Sequence, residues 1–334
     1  MNTPELIVVT PVFEDVEAAT RLFGELARTC GRGTFIVAVD DGSVRAPLGA
    51  SAIAHAGLSG VVLRLRRNAG HQRAIAVGLA WVERHRPQAQ RVVVMDSDGE
   101  DVPATVPALL EVLADVETDV VVARRRNRVE TLGFRLFYLI YKGLFRLLTG
   151  RSIAFGNFMA MKPAALKRLT AMGELATHVA GSVLISRLRW RALPLDRGPR
   201  YAGNSRMNFV GLVLHGFRGL MIFAEDVLVR VGAACALVAA LAVLGGSIAV
   251  VLKSIGFATP GWFSVAVGIL LLVFLQTGAI TLMTLMLTGV VRAGNWQAQD
   301  HLSLIDQELV VDGGAPGMGA EDSTIDGQAP LAGE

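Results

Sequence analysis

The chain has 334 residues, of which 52% are hydrophobic and 18% charged, and its mean hydropathy is +0.47. It is therefore too apolar for an ordinary soluble domain, and the apolar excess lies mainly after residue 230. The net charge of only +3 does not favour nucleic acid as a partner. Cys30 and Cys235 are far apart in sequence, which does not indicate a disulfide framework. We expect no signal peptide, because the first apolar run is only as long as a strand.

The first half of the chain alternates between strand-like and helix-like segments. This alternation predicts a mostly parallel sheet with helices on both faces. No Gly-x-Gly-x-x-Gly follows the first strand, so the dinucleotide-binding fingerprint is missing. The predicted strands are residues 6–10, 34–39, 61–65, 92–95, 119–123, 156–161 and 187–194, and the predicted helices are residues 14–29, 72–84, 103–115 and one that begins at Pro163.

The predicted strand at residues 92–95 ends in two carboxylates, Asp96 and Asp98. Residues i and i+2 of an extended chain face the same way, and the carboxyl ends of strands are where open α/β sheets bind ligands. Two converging carboxylates repel each other unless a cation lies between them, and Mg²⁺ and Mn²⁺ prefer oxygen ligands. The alternative is a solvated acidic turn before the next helix.

Two long uncharged segments, residues 231–252 and 262–291, predict a transmembrane hairpin. Each is long enough to cross roughly 30 Å of hydrocarbon. Arg218, Arg230 and Arg292 flank the outer ends of the pair, which the positive-inside rule places in the cytoplasm. We therefore expect a multi-pass protein of the inner membrane, with its first domain and both termini in the cytoplasm.

Amphipathic segments are predicted beside the hairpin. Residues 131–149 form a basic amphipathic helix pattern, typical of a helix on an anionic membrane surface or of a core helix with a solvated basic face. Residues 209–230 predict an interfacial helix, and residues 299–311 a short helix at the membrane surface before a disordered acidic tail. The predicted boundaries are residues 1–205 for the first domain, 206–230 for the juxtamembrane segment, 231–292 for the hairpin and 293–334 for the largely disordered tail.

Five short motifs follow one another along the first domain: Thr10-Pro11-Val12-Phe13, Val39-Asp40-Asp41-Gly42-Ser43, Arg67-Asn68-Ala69-Gly70-His71-Gln72-Arg73-Ala74, Met95-Asp96-Ser97-Asp98 and Val122-Ala123-Arg124-Arg125. Together with the hairpin, they make the chain resemble the family 2 glycosyltransferases. More closely, it resembles the membrane-attached polyprenyl-phosphate sugar transferases of the dolichol-phosphate mannose synthase group, over about residues 5–295. The resemblance implies a GT-A fold, with a Rossmann-like, mostly parallel sheet.

The resemblance implies a nucleotide-sugar donor bound over the strand ends. Pro11, Phe13 and Asp15 match the family's Pro-x-Tyr-x-Glu pattern near the base and ribose. Asp41 matches the residue that contacts the base, where a carboxylate can accept a hydrogen bond from a ring N–H of uracil or guanine.

The resemblance also implies a divalent cation, Mg²⁺ or Mn²⁺. Asp96, which is assigned to the donor as well, and Asp98 match the family's Asp-x-Asp motif. Glu100 stands where many relatives have Gln, and it either completes the metal shell or is a loop acid without a ligand role.

The expected acceptor is a polyprenyl phosphate, whose phosphate is already an oxyanion because its second pKa is about 6. No strong general base is then required, and the protein's task is to position two anions and stabilise the departing diphosphate. Arginine suits this task because its fork binds phosphate oxygens in pairs. We assign Asp98, Arg125, Arg128 and Asn157 to catalysis, Arg200 and Arg206 to the donor, and Arg128, Arg135 and Ser205 to the acceptor phosphate.

Some basic residues have a simpler interpretation, as a positive belt that attracts anionic lipid headgroups. For His71 and His178 we favour structural roles. Gly245, Gly246 and Gly268 would let two hairpins pack closely, which would form a homo-oligomer. The belt interpretation is favoured for Arg124, Arg126, Arg187, Arg189 and Arg191.

Asn157 departs from the pattern, since many relatives have Asp at this position. An Asn can orient an acceptor by hydrogen bonds but cannot take a proton. The leading hypothesis is inverting transfer of a hexose-type sugar from a UDP- or GDP-sugar to a polyprenyl phosphate. The alternatives are another lipid or glycan acceptor, and a non-catalytic nucleotide-sugar-binding subunit of a cell-envelope complex.

Overall fold

The computed structural model describes residues 6–125, 142–151, 155–201, 218–257, 261–295 and 301–312. The chain divides into two compact units. One unit contains the sheet, and it comprises Met1–Val129, Ile153–Gly211 and Ala298–Glu334. The other contains the long apolar helices, and it comprises Glu130–Ser152 and Leu212–Gln297.

The sheet has eight strands in the order β7-β5-β6-β4-β1-β2-β3-β8. Pairing is parallel between β1 and β2, β1 and β4, β2 and β3, and β5 and β7, whereas β6 and β8 run antiparallel to their neighbours. This topology confirms the predicted mostly parallel α/β sheet. The strands are β1 (Leu6–Val12), β2 (Thr34–Asp40), β3 (Ser59–Leu65), β4 (Arg91–Val94), β5 (Val120–Arg125), β6 (Met159–Met161), β7 (Trp190–Leu195) and β8 (Ile305–Val311).

Helices cover both faces of the sheet, because the inner strands are apolar on both sides. In β1, Ile7 and Val9 belong to one core and Val8 to the other, as the alternation of a strand requires. The first core also contains residues of α3 (His71–His85), α5 (Pro163–Thr170) and α6 (Val179–Ile185). The second contains residues of α1 (Val16–Cys30), α2 (Ser51–His55) and α4 (Val106–Leu113).

The segment after the apolar helices differs from its prediction. Ile305–Val311 forms β8, antiparallel to β3, and a short 3₁₀ turn at His301–Leu304 precedes it. The predicted surface helix over residues 299–311 is therefore wrong for the strand residues. The physical reason is the uncovered edge of β3, whose N–H and C=O groups accept an added strand that has Val310 and Val311 at its end.

The helical unit contains α7 (Ala224–Ser254) and α8 (Trp262–Asn295). Both are long and apolar enough to cross a membrane, judged by length and composition. Apolar side chains such as Leu237 and Leu272 are mostly exposed along them, as lipid-facing side chains would be. These helices contain both segments predicted as a hairpin.

Part of the predicted amphipathic segments lies in this unit. Residues 142–149 are helical, and the Phe145 ring packs edge-on against Phe223 at 5.7 Å between centroids. Arg151 pairs with Asp226 at 3.6 Å, Nε to Oδ2. Residues 131–141 and 209–217 lie outside the described residues.

Candidate active site

The acids that follow β4 lie where the parallel strands end. The Met95 N–H donates to the Val9 carbonyl at 3.2 Å, and the Ser97 hydroxyl donates to the Pro11 carbonyl at 3.0 Å. These bonds fix the acidic turn to the end of β1. Within the turn, Asp98 Oδ1 accepts from the Glu100 N–H at 3.0 Å. Asp96 and Asp98 therefore lie at the carboxyl ends of the parallel strands, as their position in the sequence predicted.

Asp98 is a half-buried carboxylate beside a second one. Its pKa is raised, first by burial and then by the negative charge of Asp96, while Arg200, Arg197 and His71 act in the opposite direction. Two half-buried carboxylates repel each other when both are ionised. Their oxygens are the donors that Mg²⁺ and Mn²⁺ prefer. Asp96 and Asp98 thus fit the predicted ion.

Glu100, by contrast, forms ion pairs with Arg197 and Arg200. Arg200 spans two acids, with Nη2 at 2.9 Å from Asp98 Oδ2 and Nε at 3.1 Å from Glu100 Oε1. Arg197 pairs with the other oxygen of Glu100. In the part of the chain that the structure describes, no three His, Cys, Asp or Glu side chains form a metal-binding group. The structure therefore brings Glu100 to the acidic turn, but against Arg197 and Arg200.

Asp41 lies beside the loop that follows β3. It is buried, and its two oxygens accept from the backbone N–H groups of Ala69 at 2.7 Å and Gly70 at 3.0 Å. Burial raises the pKa of Asp41, and these two hydrogen bonds act in the opposite direction. The carboxylate predicted to contact the nucleotide base thus holds the Ala69–Gly70 backbone.

The residues matched to the first motif lie at the end of β1. Pro11 is opposite Val39 in the sheet, and Phe13 is 41% exposed just beyond the strand. Asp15 is the N-cap of α1, since its Oδ1 accepts from the Ala18 N–H at 3.3 Å. Capping α1 is therefore a structural role for Asp15.

His71 and Arg124 extend the site in ways that sequence reasoning missed, and both lie near Asn157, which the sequence had assigned to it. His71 Nε2 lies 3.1 Å from Asp96 Oδ1 and 3.0 Å from the Asn157 amide nitrogen. Arg124, interpreted from sequence as part of a headgroup belt, lines an open cleft beside these groups. The only sequence signal for His71 was its place inside the third motif. The polar lining of the cleft comprises Asp96, Glu100, Asp101, Arg124, Asn157, Asp196 and Arg197.

Other basic residues have structural partners. Arg189 pairs with Asp119 at 2.8 Å and Glu117 at 2.7 Å, and Arg191 pairs with Asp115 at 2.7 Å. These arginines balance acids of the same unit. His178 caps α6, with Nδ1 accepting from the Gly181 N–H at 3.0 Å, which confirms its structural interpretation.

Several assigned residues are not placed at this site by the structure. Arg125 is the last residue of β5. The residues that lie outside the described part of the chain are Arg128, Arg135, Ser205 and Arg206.

The sequence matches the family model "Glycosyl transferase family 2" over residues 7–170. Residues 7–170 therefore form a family 2 glycosyltransferase domain. It is also 27% identical over 202 residues to dodecaprenyl-phosphate galacturonate synthase of Rhizobium johnstonii, covering 55% of this chain and 56% of that protein. The chain thus spans little more than half the length of this curated relative.

The fold of the family 2 domain resembles that of a solved enzyme. Glucosyl-3-phosphoglycerate synthase from Mycobacterium tuberculosis, in complex with Mn²⁺, uridine diphosphate and phosphoglyceric acid, matches with a TM-score of 0.50 at 16% identity. The match covers 67% of this chain and 78% of the other. At this identity the likeness concerns the fold alone, and it agrees with the predicted GT-A architecture.

Proposed function

We propose that this family 2 protein transfers a sugar from a nucleoside-diphosphate sugar to a polyprenyl phosphate at a membrane. The observation that carries the proposal is the pair Asp96 and Asp98 at the end of β4, inside the family 2 domain and beside a cleft that contains Arg124. The two apolar helices and the similarity to a dodecaprenyl-phosphate sugar synthase support a lipid acceptor.

The donor diphosphate and a divalent cation would meet at the acidic turn. Asp96 and Asp98 would hold the cation, which supplies positive charge against the departing diphosphate. Arg200 lies within ion-pair distance of Asp98, and its guanidinium would bind diphosphate oxygens when they enter. Phe13, exposed at the end of β1, offers an apolar surface to the nucleoside.

The acceptor requires orientation rather than deprotonation. One phosphate oxygen of the lipid would attack the anomeric carbon as the bond from that carbon to the diphosphate breaks, which inverts the configuration. Because this oxygen is already an anion, Asn157 suffices to orient it by hydrogen bonds. Arg124 and Arg125, with Arg128 and Arg135, would offset its charge.

A transfer assay tests the proposal. Protein purified in detergent receives undecaprenyl phosphate, Mn²⁺ and a panel of labelled UDP- and GDP-sugars, and the label in the organic phase is counted. We expect label from one donor, and none when the lipid or the cation is omitted. Nucleotide binding without transfer from any donor would contradict the proposed activity. It would favour first another acceptor, and then a non-catalytic subunit.

A further inference from the structure

The backbone places His71 at the site in a defined position. It is the first residue of α3, directly after Gly70, whose φ of 92° lies in the left-handed region that glycine tolerates. Asp41 holds the backbone N–H groups of Ala69 and Gly70. The entry of the chain into α3 is therefore fixed by a buried carboxylate, and the start of α3 directs the imidazole ring.

The ring joins three segments that are distant in sequence. Its Nε2 is 3.1 Å from Asp96 Oδ1, at the end of β4, and 3.0 Å from the amide nitrogen of Asn157, just before β6. Nε2 carries at most one hydrogen, so it can donate to only one strong acceptor. The Asn157 amide nitrogen is itself a donor and cannot accept this hydrogen, whereas the Asp96 carboxylate can, so a hydrogen on Nε2 is directed at Asp96.

We propose that His71 is a positioning residue, which orients the Asp96 carboxylate toward the divalent cation by donating a hydrogen on Nε2 across the 3.1 Å that separates it from Oδ1. The proposal rests on the proposed function, in which Asp96 and Asp98 bind that cation. A carboxylate held at one oxygen cannot rotate freely, so its lone pairs point in a fixed direction. Partners of this kind affect metal affinity by about 10- to 100-fold in characterised metal sites.

Asn157 is the other side chain that contacts Nε2 of His71. With the hydrogen on Nε2, the Asn157 amide turns its oxygen toward the ring, and this neutral oxygen is a weaker acceptor than the Asp96 carboxylate. An Asp at this position would be a second carboxylate beside the same nitrogen. The departure from the family pattern thus keeps His71 directed at Asp96.

The test measures Mn²⁺ binding directly, apart from turnover. Mn²⁺ is titrated into the detergent-purified full chain with UDP or with GDP, and free Mn²⁺ is followed by electron paramagnetic resonance. His71→Ala should weaken Mn²⁺ binding by about 10-fold or more. His71→Gln should remain within about 3-fold of the parent, because its amide N–H has a reach similar to that of Nε2. His55→Gln, at an exposed end of α2, is the matched control and should equal the parent.

Thermal melting without Mn²⁺ accompanies each titration, and we expect the His71 variants to melt close to the parent. If the parent binds Mn²⁺ and His71→Ala binds it equally well, the inference alone is overturned. If the Ala and Gln variants lose affinity equally, it is also overturned, because the imidazole nitrogen would then act as a direct ligand. If the parent binds no Mn²⁺ with either nucleotide, the cation of the proposed function fails, and the inference fails with it.

Discussion

Asp96 and Asp98 have different electrostatic partners, although only Ser97 separates them. Asp96 contacts the imidazole of His71, whereas Asp98 contacts the guanidinium of Arg200. A permanent guanidinium charge balances Asp98. Incoming diphosphate would compete for Arg200, and a cation would then replace Arg200 as the partner of Asp98. The two acids are therefore expected to respond differently to substitution.

Asp98→Asn tests the residue on which the cation site depends most. It keeps the shape of the side chain but removes the charge, so we expect transfer activity to fall by about 100-fold or more. Activity is measured as label transferred to the lipid phase. Glu111→Gln, on the exposed side of α4, removes the same charge outside the site and should leave activity unchanged. Full activity in Asp98→Asn would show that the cation assignment is wrong.

Arg124→Ala tests the cation that sequence reasoning assigned to a headgroup belt. Among the residues that the structure describes, none forms an ion pair with this side chain, which lines the cleft beside Asn157. We expect KM for undecaprenyl phosphate to rise by about 10-fold, since a charged hydrogen bond contributes about 1.5–3 kcal/mol. Arg84→Ala, at the exposed end of α3, is the matched control. An unchanged KM would favour the first interpretation of Arg124, as part of a positive belt that attracts anionic lipid headgroups.

At the residue scale, the sequence predicted what depends on strand ends and failed where contacts join distant segments. Asp96 and Asp98 were found because an apolar run stops at them. His71 was not, since its contacts are with Asp96 and Asn157, the latter 86 residues away. Arg124 and Arg125 are adjacent on one strand, and a single sequence does not show which face of the strand meets a cleft.

At the element scale, the loops after β2 and β3 are packed backbone to backbone. Gly42 has a φ of 70°, and a Cβ there would overlap the backbone of Arg67 and Asn68. This close approach brings Asp41 within hydrogen-bond distance of Ala69. The contact of these two loops therefore positions the start of α3.

Gly42→Ala should separate these loops. We expect a loss of about 2 kcal/mol or more in unfolding free energy, because a non-glycine residue in the left-handed region costs about 1–3 kcal/mol before the overlap is counted. Thermal melting of the purified protein measures it. Gly33→Ala, at the other end of β2, has open space around its Cβ and an ordinary φ, so it should melt like the parent. Equal melting of both variants would contradict the close approach.

The strand β8 shows where patterns in the sequence mislead. Its residues mix apolar and acidic side chains in a run too short for periodicity to separate helix from strand. The deciding partner, the edge of β3, is more than 200 residues away, as the 243-residue separation of Arg64 and Gln307 shows. The main sheet was predictable because its strands form apolar runs between amphipathic helices.

Removing residues 301–334 should destabilise the family 2 domain, whereas removing only residues 313–334 should not. The longer deletion uncovers the edge of β3 and removes Leu302, Leu304 and Val311 from the two cores. We expect it to lower the melting temperature and promote aggregation, measured by thermal scanning and size-exclusion chromatography. Similar behaviour of both deletions would show that β8 contributes little.

At the scale of the whole molecule, the chain leaves and re-enters one sheet. β7 precedes the apolar helices α7 and α8, and β8 follows them, yet both strands belong to the same eight-stranded sheet. One folded sheet cannot lie on both sides of a bilayer. If α7 and α8 both cross the membrane, the segments before and after them must therefore lie on the same side. This argument from connectivity agrees with the hairpin expected from the two apolar segments, in which both flanks share one side of the membrane.

Paired cysteines test this connectivity in native membranes. Arg64 lies opposite Gln307 in the β3–β8 register, and the two side chains contact at 3.1 Å. Arg64→Cys with Gln307→Cys should form an intramolecular disulfide on mild oxidation, because paired strand residues meet the geometry that the bond requires. It would appear as a reducible mobility shift on a denaturing gel.

Arg64→Cys with Glu308→Cys is the matched control, because Glu308 is opposite Leu63 and its side chain leaves the other face of the sheet. This pair should cross-link much less, and the parent with Cys30 and Cys235 alone should show no shift. Efficient cross-linking of the Gln307 pair alone would place both flanks of the apolar helices on one side of the membrane. Equal cross-linking of both pairs, or none in either, would contradict the register and, with it, the argument that both flanks share one side.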